Sequence, residues 1–275
     1  MPIHVHQPYL CTQTEFYSKI ISVYHKSQCS SVSILLFEFY HMRSYATINI
    51  IFVGGCVMQI AIDGPAGAGK STVAKKLAEE LGYIYIDTGA MYRALTLVAL
   101  QKGLDLNDEN ALKELANRLS IHFEYHSGEQ KIFCNNRDIT ASIRLPDVNA
   151  AVSKVASYPS IRGIMVKQQQ QMAENLSVVM DGRDIGECVL PNADYKFYLT
   201  AGIEQRALRR AAELAANGVN INFDTILEEI KERDKNDSQR AIGALKILPD
   251  AIVIDTSNLS VLQVLDKMLQ IIRGE

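Results

Sequence analysis

A glycine-rich loop between an apolar run and a helical pattern constrains the fold of this chain more than any other feature. Residues 64–71 read GPAGAGKS, which is the pattern G-x-x-x-x-G-K-[ST], and they follow the apolar residues 60–62. Glycines let a chain approach a polyphosphate closely, and successive backbone N–H groups with the N-terminus of the next helix attract an anion. The sequence therefore predicts a phosphate-binding loop between a strand and a helix.

Two side chains of this loop have separate expected roles. Lys70 is expected to reach the β- and γ-phosphates of a nucleotide, and the Ser71 hydroxyl to ligate Mg²⁺. The residues expected to bind the nucleotide phosphates are Gly64, Pro65, Ala66, Gly67, Ala68, Gly69, Lys70, Ser71 and Thr72. A glycine-rich turn with an exposed lysine is the alternative, but it does not explain why these residues fall in this order.

Charge, cysteines and apolar runs exclude several classes of function. A formal net charge of −3 argues against broad nucleic-acid binding by electrostatics. The five cysteines are far apart and form no C-x-x-C pair, so neither a disulfide framework nor a zinc site is expected. No uninterrupted apolar run reaches the roughly 18 residues of a membrane span. A cytoplasmic protein with no membrane contact is expected.

Residues 1–57 differ from the rest of the chain. They contain four of the six histidines and only two acidic residues, without clean helical or alternating periodicity. The start of the chain lacks the basic and apolar regions of a signal peptide. Gly54 and Gly55 can be encoded by a purine run that resembles a ribosome-binding site. We therefore expect the native protein to start at Met58 and residues 1–57 to lie outside its fold.

The segments after the loop alternate between helical patterns and short β-rich runs. Residues 83–87 complete a strand–helix–strand unit, which implies a parallel sheet. Further strands are expected at residues 177–181, 194–199 and 252–255, and helices at residues 70–81, 110–119, 147–174 with a break near Pro159, 204–217, 223–242 and 261–272. Residues 121–140 depart from this alternation, and their turn signals predict a small antiparallel β-meander that covers an acceptor site.

Polar residues follow the expected strands at the end where ligands of open α/β sheets gather. Asp181 ends one strand, where a carboxylate would act on Mg²⁺ through water. Arg93 lies in an otherwise apolar helical run, and its planar guanidinium suits a second phosphate group, although a surface arginine remains the alternative. Thr88 and Asp184 also follow strands at this end, and the alternative to a binding role is that each caps the helix that follows it.

Three arginines lie close together in the expected helix over residues 204–217. Arg206 and Arg210 share a helix face, and Arg209 lies beside them. They could simply form the solvent-exposed face of this helix. After a phosphate-binding loop they are typical of a lid that neutralises a transferred phosphoryl group.

Four motifs give residues 58–273 a resemblance to a known family. They are IAIDGPAGAGKST at 60–72, YIDTGAMYRA at 85–94, DGRDIG at 181–186 and KERDKNDSQR at 231–240. In this order, with the meander between them, they resemble the cytidylate kinases of the bacterial type, within the nucleoside-monophosphate kinases. The resemblance covers essentially all of the chain after Met58 and none of residues 1–57.

The resemblance implies a fold and an activity. The fold is an α/β P-loop kinase core with a five-stranded parallel sheet flanked by helices, a small antiparallel β insert and a helical lid. The acceptor-binding insert would cover about residues 88–175 and the lid about residues 202–240. The family transfers the γ-phosphoryl group of ATP to CMP or dCMP with Mg²⁺, in pyrimidine nucleotide metabolism, and a monomer that binds no nucleic acid is expected.

The resemblance also implies roles for individual residues. Those around the acceptor phosphate would be Thr88, Arg93, Arg183 and Arg240. Those that read cytosine would be Ser153, Arg162 and Asp184, while Arg233 and Asp237 would hold the sugar. Those with catalytic roles would be Lys70, Arg183, Arg206 and Arg210, and the metal would be bound by Ser71 and Asp181.

One departure and two alternatives accompany this interpretation. Residues 242–245 read IGAL, where the family commonly has Ser-Pro before the leucine, so the local turn is in question. One alternative is a P-loop kinase for another acceptor, such as UMP or a small metabolite. The other is a non-catalytic nucleotide-binding regulator.

Overall fold

A computed structural model describes residues 57–126, 129–216, 218 and 221–275. Residues 58–275 form one compact unit. The expectation that residues 1–57 lie outside the native fold concerns a segment that falls, except for Val57, outside the described residues. None of the described helices is long and apolar enough to cross a membrane.

Five parallel strands form the central sheet, as the sequence predicts. Their bounds are β1 Gln59–Asp63, β2 Ile84–Asp87, β6 Val178–Asp181, β7 Tyr195–Thr200 and β8 Ile252–Asp255, and their spatial order is β2-β6-β1-β7-β8. The register pairs Ile62 of β1 with Asp181 of β6, and Asp181 in turn with Asp87 of β2. The carboxyl ends of three neighbouring strands therefore bring acidic residues to one edge of the sheet.

Eight α-helices are described around this sheet. They are α1 Lys70–Leu81, α2 Thr88–Gln101, α3 Glu109–Arg118, α4 Pro146–Val155, α5 Pro159–Ala173, α6 Ile203–Ala216, α7 Phe223–Ser238 and α8 Val261–Arg273. Proline at the first position of α4 and of α5 fits a site where a backbone N–H would lack an intrahelical acceptor. The break that the sequence predicts near Pro159 thus separates two helices.

Apolar residues cover both faces of the sheet. On one face, Ile62, Val179 and Phe197 pack with Leu77 of α1 and Met268 of α8. On the opposite face, a second cluster includes Ala61, Ile86 and Met180, whose strand positions alternate with those of the first cluster. A third cluster packs α2 against α5. Burial of these side chains stabilises a three-layer α/β arrangement, which holds the strand ends in place.

The expected β-meander is a three-stranded antiparallel sheet made of β3 Ile121–His126, β4 Glu129–Cys134 and β5 Arg137–Asp138. Its Tyr125 hydroxyl accepts a hydrogen bond from the Tyr85 N–H at 2.9 Å and donates one to the Tyr85 carbonyl at 2.8 Å. The meander therefore satisfies backbone groups of β2, the outermost strand of the parallel sheet.

One local expectation was wrong, and two alternatives for capping residues do not hold. Helix α7 ends at Ser238 rather than at residue 242, because the Leu245 N–H takes the Asp237 carbonyl that a longer helix would use. Thr88 does not cap α2: the Asp87 carboxylate accepts from the Ala90 N–H at 2.9 Å and is the cap. Asp184 precedes a short π-helical turn, Ile185–Val189, without capping it.

Substitution of Gly64 tests how closely the end of β1 approaches β7. Its φ is 145°, and an added β-carbon would lie within 3.0 Å of the Leu199 carbonyl oxygen. Gly64→Ala is expected to lower the free energy of unfolding by about 3 kcal/mol or more, because backbone strain and a collision with main chain add. Urea denaturation of the full chain measures this.

Gly82→Ala is the matched control. Gly82 also has positive φ, at 68°, but no atom lies within 4 Å of an added β-carbon. Its substitution is expected to cost about 1 kcal/mol. Equal losses at the two positions would contradict the close approach at Gly64.

Candidate functional site

The loop between β1 and α1 has the geometry that the motif predicts. Gly69, in the left-handed region at φ 86°, precedes α1, and no side chain caps the N-terminus of that helix. Its first N–H groups therefore remain available to an anion. The buried Lys70 donates from Nζ to the Pro65 carbonyl at 2.8 Å. Burial, and next the positive charge of Arg183, lower the pKa of Lys70, and a bound polyphosphate would compensate its charge.

Ser71 and Asp181 meet beside the loop. The Ser71 hydroxyl donates to Asp181 Oδ2 at 2.7 Å, and the Tyr85 hydroxyl donates to Asp181 Oδ1 at 2.7 Å. Burial raises the pKa of Asp181, and the neighbouring negative charge of Asp87 raises it further. A cation at this position would therefore favour the ionised carboxylate.

These residues fit Mg²⁺. Hydroxyl and carboxylate oxygens are the hard ligands that Mg²⁺ prefers, and this ion keeps several waters and takes phosphate oxygens when nucleotides bind. Among the described residues, no group of three or more His, Cys, Asp or Glu could hold a metal by itself. A site that relies on one hydroxyl, one carboxylate and a nucleotide needs no such group.

A second part of the site consists of arginines arranged around Asp237. Arg183 donates from Nε to Asp237 Oδ2 at 2.7 Å, and Arg240 binds the other oxygen. The pKa of Asp237 is held below its usual range because these arginine charges outweigh the effect of its burial. Burial and the charge of Arg183 lower the pKa of Arg233 to about 10. The cluster holds more positive than negative charge.

Several of these guanidinium groups keep buried nitrogen atoms without hydrogen-bond partners. The atoms are Arg93 Nη1, Arg162 Nε, Arg233 Nε and Arg240 Nε. A buried donor without an acceptor costs free energy, and here four such donors belong to cations. Arg93 Nη1 lies 3.6 Å from Asp87 Oδ2, which turns this side chain inward rather than into solvent. An anionic ligand is the group that would satisfy these donors.

Arg162 and Asp184 form a buried ion pair. Arg162 also donates from Nη1 to the Ala156 carbonyl at 3.1 Å, and its guanidinium lies 5.5 Å from the centre of the Tyr92 ring. The turn after α7 packs closely against this pair. Gly243 has a φ of 65°, and a β-carbon added there would lie within 3.0 Å of both side chains. The departure noted at residues 242–245 therefore places a glycine where no side chain fits.

The arginines of α6 do not act as one group in this structure. Arg206 is buried and donates to the carbonyls of Ala201 and Ala66, at 3.0 and 3.1 Å, while it pairs with Asp234 of α7 at 2.6 Å. Arg210, in contrast, pairs with Glu213 at 2.9 Å on its own helix. Of the two arginines expected to be catalytic in α6, this structure places Arg206 against the phosphate loop.

Arg209 was expected among the three lid arginines but not among the catalytic residues, and sequence reasoning gave Asp63 no role. Arg209 donates to Thr256 and, at 3.5 Å, to the Gly67 carbonyl. Its spacing of three residues from Arg206 is consistent with these contacts, since such pairs lie close together on a helix. Asp63 ends β1, and its carboxylate accepts from the N–H groups of Ile185 and Gly186 at 2.8 Å each. Burial raises the pKa of Asp63 to about 6.

The two remaining expected substrate residues lie on separate elements. The buried Thr88 donates from its hydroxyl to the Asp181 carbonyl at 2.7 Å, which joins the start of α2 to the end of β6. Ser153 is half-buried in α4. The structure thus brings Thr88 to the strand ends, whereas Ser153 belongs to the helical region next to α5.

Comparison with known proteins assigns the family. The sequence profile of the family described as cytidylate kinase matches residues 60–274. This chain belongs to the cytidylate kinase family. The curated cytidylate kinase of Bacillus licheniformis is 54% identical over 214 residues, covering 78% of this chain and 95% of that protein. The curated cytidylate kinase of Bacillus subtilis is 51% identical over 213 residues, with the same two shares covered.

Solved structures of other kinases are more distant from this cytidylate kinase family member. Shikimate kinase from Acinetobacter baumannii is 17% identical with a TM-score of 0.39, covering 80% of this chain and 94% of that one. Shikimate kinase from Bacteroides thetaiotaomicron is 13% identical with a TM-score of 0.42, covering 79% and 99%.

The unpartnered arginine donors lead to a binding prediction. Inorganic phosphate at about ten times its dissociation constant is expected to stabilise the protein by about 1.4 kcal/mol. Arg233→Gln is expected to reduce this stabilisation, because Arg233 Nε is buried without a partner. Thermal unfolding with and without phosphate measures both effects.

Arg118→Gln is the control for that experiment. Arg118 is exposed and pairs with Glu114 one turn earlier on α3, so its loss should leave the phosphate effect unchanged. An equal reduction in both variants would mean that phosphate acts on the general surface charge rather than at the arginine cluster.

Proposed function

We propose that the protein transfers the γ-phosphoryl group of ATP directly to the phosphate of CMP or dCMP, giving ADP and CDP or dCDP. The family match over residues 60–274 supports this activity. The observation that carries it in the structure is the set of buried arginine donors without acceptors, among which Arg233 lies close enough to Lys70 of the phosphate loop to lower its pKa. Two anionic nucleotides would supply the missing negative charge.

The donor nucleotide would bind at the loop between β1 and α1. The N-terminus of α1 and Lys70 would hold its phosphates. When bound through Ser71 and a water on Asp181, Mg²⁺ would neutralise charge on the β- and γ-phosphates. Arg206, which already contacts the loop at the Ala66 carbonyl, would stabilise the phosphoryl group in transfer.

The acceptor phosphate would lie among Arg93, Arg183 and Arg240, with the Thr88 hydroxyl nearby. In the transfer, an acceptor phosphate oxygen forms a bond to the γ-phosphorus while the bond from that phosphorus to the β–γ bridging oxygen breaks. The electron pair of the broken bond stays on ADP. Positioning and charge neutralisation supply most of the acceleration in such reactions, so no general base is required.

Cytosine would be read by Asp184, Arg162 and Ser153, and the sugar would be held by Arg233 and Asp237. Cytosine offers an amino donor, which a carboxylate accepts, and ring acceptors, which a guanidinium or hydroxyl satisfies. Uracil presents a carbonyl where cytosine has its amino group, so it would leave the buried Asp184 carboxylate facing an acceptor. A site built on such pairing discriminates strongly against the wrong base.

Residues 88–175 would act as the acceptor-binding region and residues 202–240 as a lid. Closure of the lid would keep water from the γ-phosphate and prevent hydrolysis of ATP. Arg210 would reach the phosphates only in a closed state, because in this structure it is paired with Glu213. We also expect a cytoplasmic location, which the free Cys134 and Cys188 suit.

A coupled assay with CMP, dCMP, UMP and AMP tests the activity. The value of kcat/KM for CMP or dCMP is expected to exceed that for UMP and AMP by about 100-fold or more, because the wrong bases leave buried polar groups unpaired. Lys70→Ala is the catalytic control and should lower transfer by about 100-fold or more. Preference for UMP or AMP would indicate another acceptor, and tight ATP binding without any transfer would indicate a regulator.

Gly243→Ala tests the assignment of the base-reading pair. A β-carbon at Gly243 would displace Arg162 and Asp184, so KM for CMP should rise about tenfold while KM for ATP stays unchanged. Steady-state kinetics with each substrate varied in turn measures the two constants.

Gly103→Ala serves as the control, since Gly103 also has positive φ, at 64°, but has no atom within 4 Å of an added β-carbon. It should change neither KM. If Gly243→Ala raises KM for ATP as much as KM for CMP, Arg162 and Asp184 do not form a separate base site.

A further inference from the structure

Tyr85 is a buried residue whose hydroxyl meets the metal-binding part of the site. It lies in β2, is 5% exposed, and donates to Asp181 Oδ1 at 2.7 Å. The other carboxylate oxygen, Oδ2, receives the Ser71 hydroxyl at 2.7 Å. Both oxygens of Asp181 therefore accept a hydrogen bond. One of the two donors is Tyr85, to which the sequence motifs give no role.

The strand register explains how Tyr85 reaches Asp181. In the parallel pairing of β2 with β6, Tyr85 lies opposite Val179 and Asp87 opposite Asp181. Side chains two residues apart on a strand share a face, so Tyr85 and Asp181 project towards the same side of the sheet. Tyr85 and Val179 pack there in the cluster that also contains Val73 and Leu77 of α1. The phenol ring is thus held against the sheet under the helix that carries Ser71.

The backbone of Tyr85 is held as firmly as its side chain. The Tyr125 hydroxyl of β3 accepts from the Tyr85 N–H and donates to the Tyr85 carbonyl, at 2.9 and 2.8 Å. Gln130 of β4 donates to the same carbonyl. The antiparallel sheet therefore contacts the edge of the parallel sheet at the residue whose side chain binds Asp181.

A carboxylate held by one hydrogen bond can rotate about its last torsion, which is broad and roughly two-fold. The Ser71 hydroxyl alone would leave Asp181 this freedom, and Ser71 must also turn an oxygen lone pair to a bound cation. A second donor on the opposite oxygen fixes the plane of the carboxylate. Partners of this kind behind a metal ligand set its orientation and the affinity for the metal.

We propose that Tyr85 is a positioning residue for Mg²⁺: it orients the Asp181 carboxylate and is itself held in place by Tyr125 of the antiparallel sheet. This inference deepens the proposed function and rests on it for the identity of the bound cation. It assigns the antiparallel sheet a role at the metal, in addition to the acceptor-covering role that the sequence predicts.

Calorimetric titration of the full chain with the non-hydrolysable ATP analogue AMP-PNP, in excess Mg²⁺ and in EDTA, tests the proposal. The ratio of the two dissociation constants measures how far Mg²⁺ tightens nucleotide binding. Tyr85→Phe removes the hydroxyl and keeps the ring, and is expected to reduce this ratio by about tenfold. The dissociation constant in EDTA should change far less than the one in Mg²⁺, because the Tyr85 hydroxyl acts on Asp181 and on Ser71, the two residues expected to hold the metal.

Tyr83→Phe is the matched control. Its hydroxyl contacts the Met58 sulfur at 3.4 Å, away from Asp181, so both dissociation constants should equal those of the wild type. If Tyr85→Phe weakens binding equally in Mg²⁺ and EDTA, or leaves the ratio unchanged, the proposal is overturned. Should Tyr85→Phe fail to fold, the ratio for Tyr125→Phe decides: a reduced ratio supports the proposal and an unchanged one overturns it.

These results remain separable from the proposed activity. The binding ratio requires only that the protein binds a nucleotide with a metal. Absence of transfer to CMP in the wild type would refute the proposed function whatever the ratio shows. Normal transfer with an unaffected ratio in Tyr85→Phe would refute only the positioning role.

Discussion

Asp237 lies among more positive charges than a single carboxylate can neutralise. It binds Arg183 and Arg240 and is 1% exposed, while Arg233 lies close enough to influence its pKa. Guanidinium groups do not escape this repulsion by losing a proton at neutral pH, because even the lowered pKa of Arg233, about 10, lies well above neutrality. The folded protein therefore holds a local excess of positive charge that hydrophobic packing elsewhere must offset, and a phosphate group would relieve it.

Three neighbouring strands of the parallel sheet end in an aspartate, and each of these aspartates makes different contacts. Asp63 holds the turn at residues 185–186, Asp87 caps α2, and Asp181 receives Ser71 and Tyr85. These tasks follow from register, because neighbouring parallel strands end at the same edge and each side chain faces a different loop. The loop that carries Arg183 and Asp184 and the helix that carries Arg93 are thus tied to the frame that carries Lys70.

Sequence patterns were sufficient where chemistry and fold are encoded locally. The glycines, Lys70 and Ser71 predicted the loop, and β-rich runs predicted every strand of the parallel sheet, because those signals span few residues. Tyr85 and Asp63 escaped notice because their partners are more than 90 residues away along the chain. The end of α7 was placed four residues too late because helical propensity continues past Ser238, whereas the competing bond from Leu245 is tertiary.

Arg206 bridges two parts of the molecule that would serve different nucleotides. One of its nitrogens contacts the carbonyl of Ala66 in the phosphate loop, and another pairs with Asp234 on α7, one turn before Asp237. A displacement of this guanidinium would change both contacts, because a single side chain makes them. Occupancy by the first nucleotide should therefore prepare the protein for the second, which is synergy between donor and acceptor without any need for a second subunit.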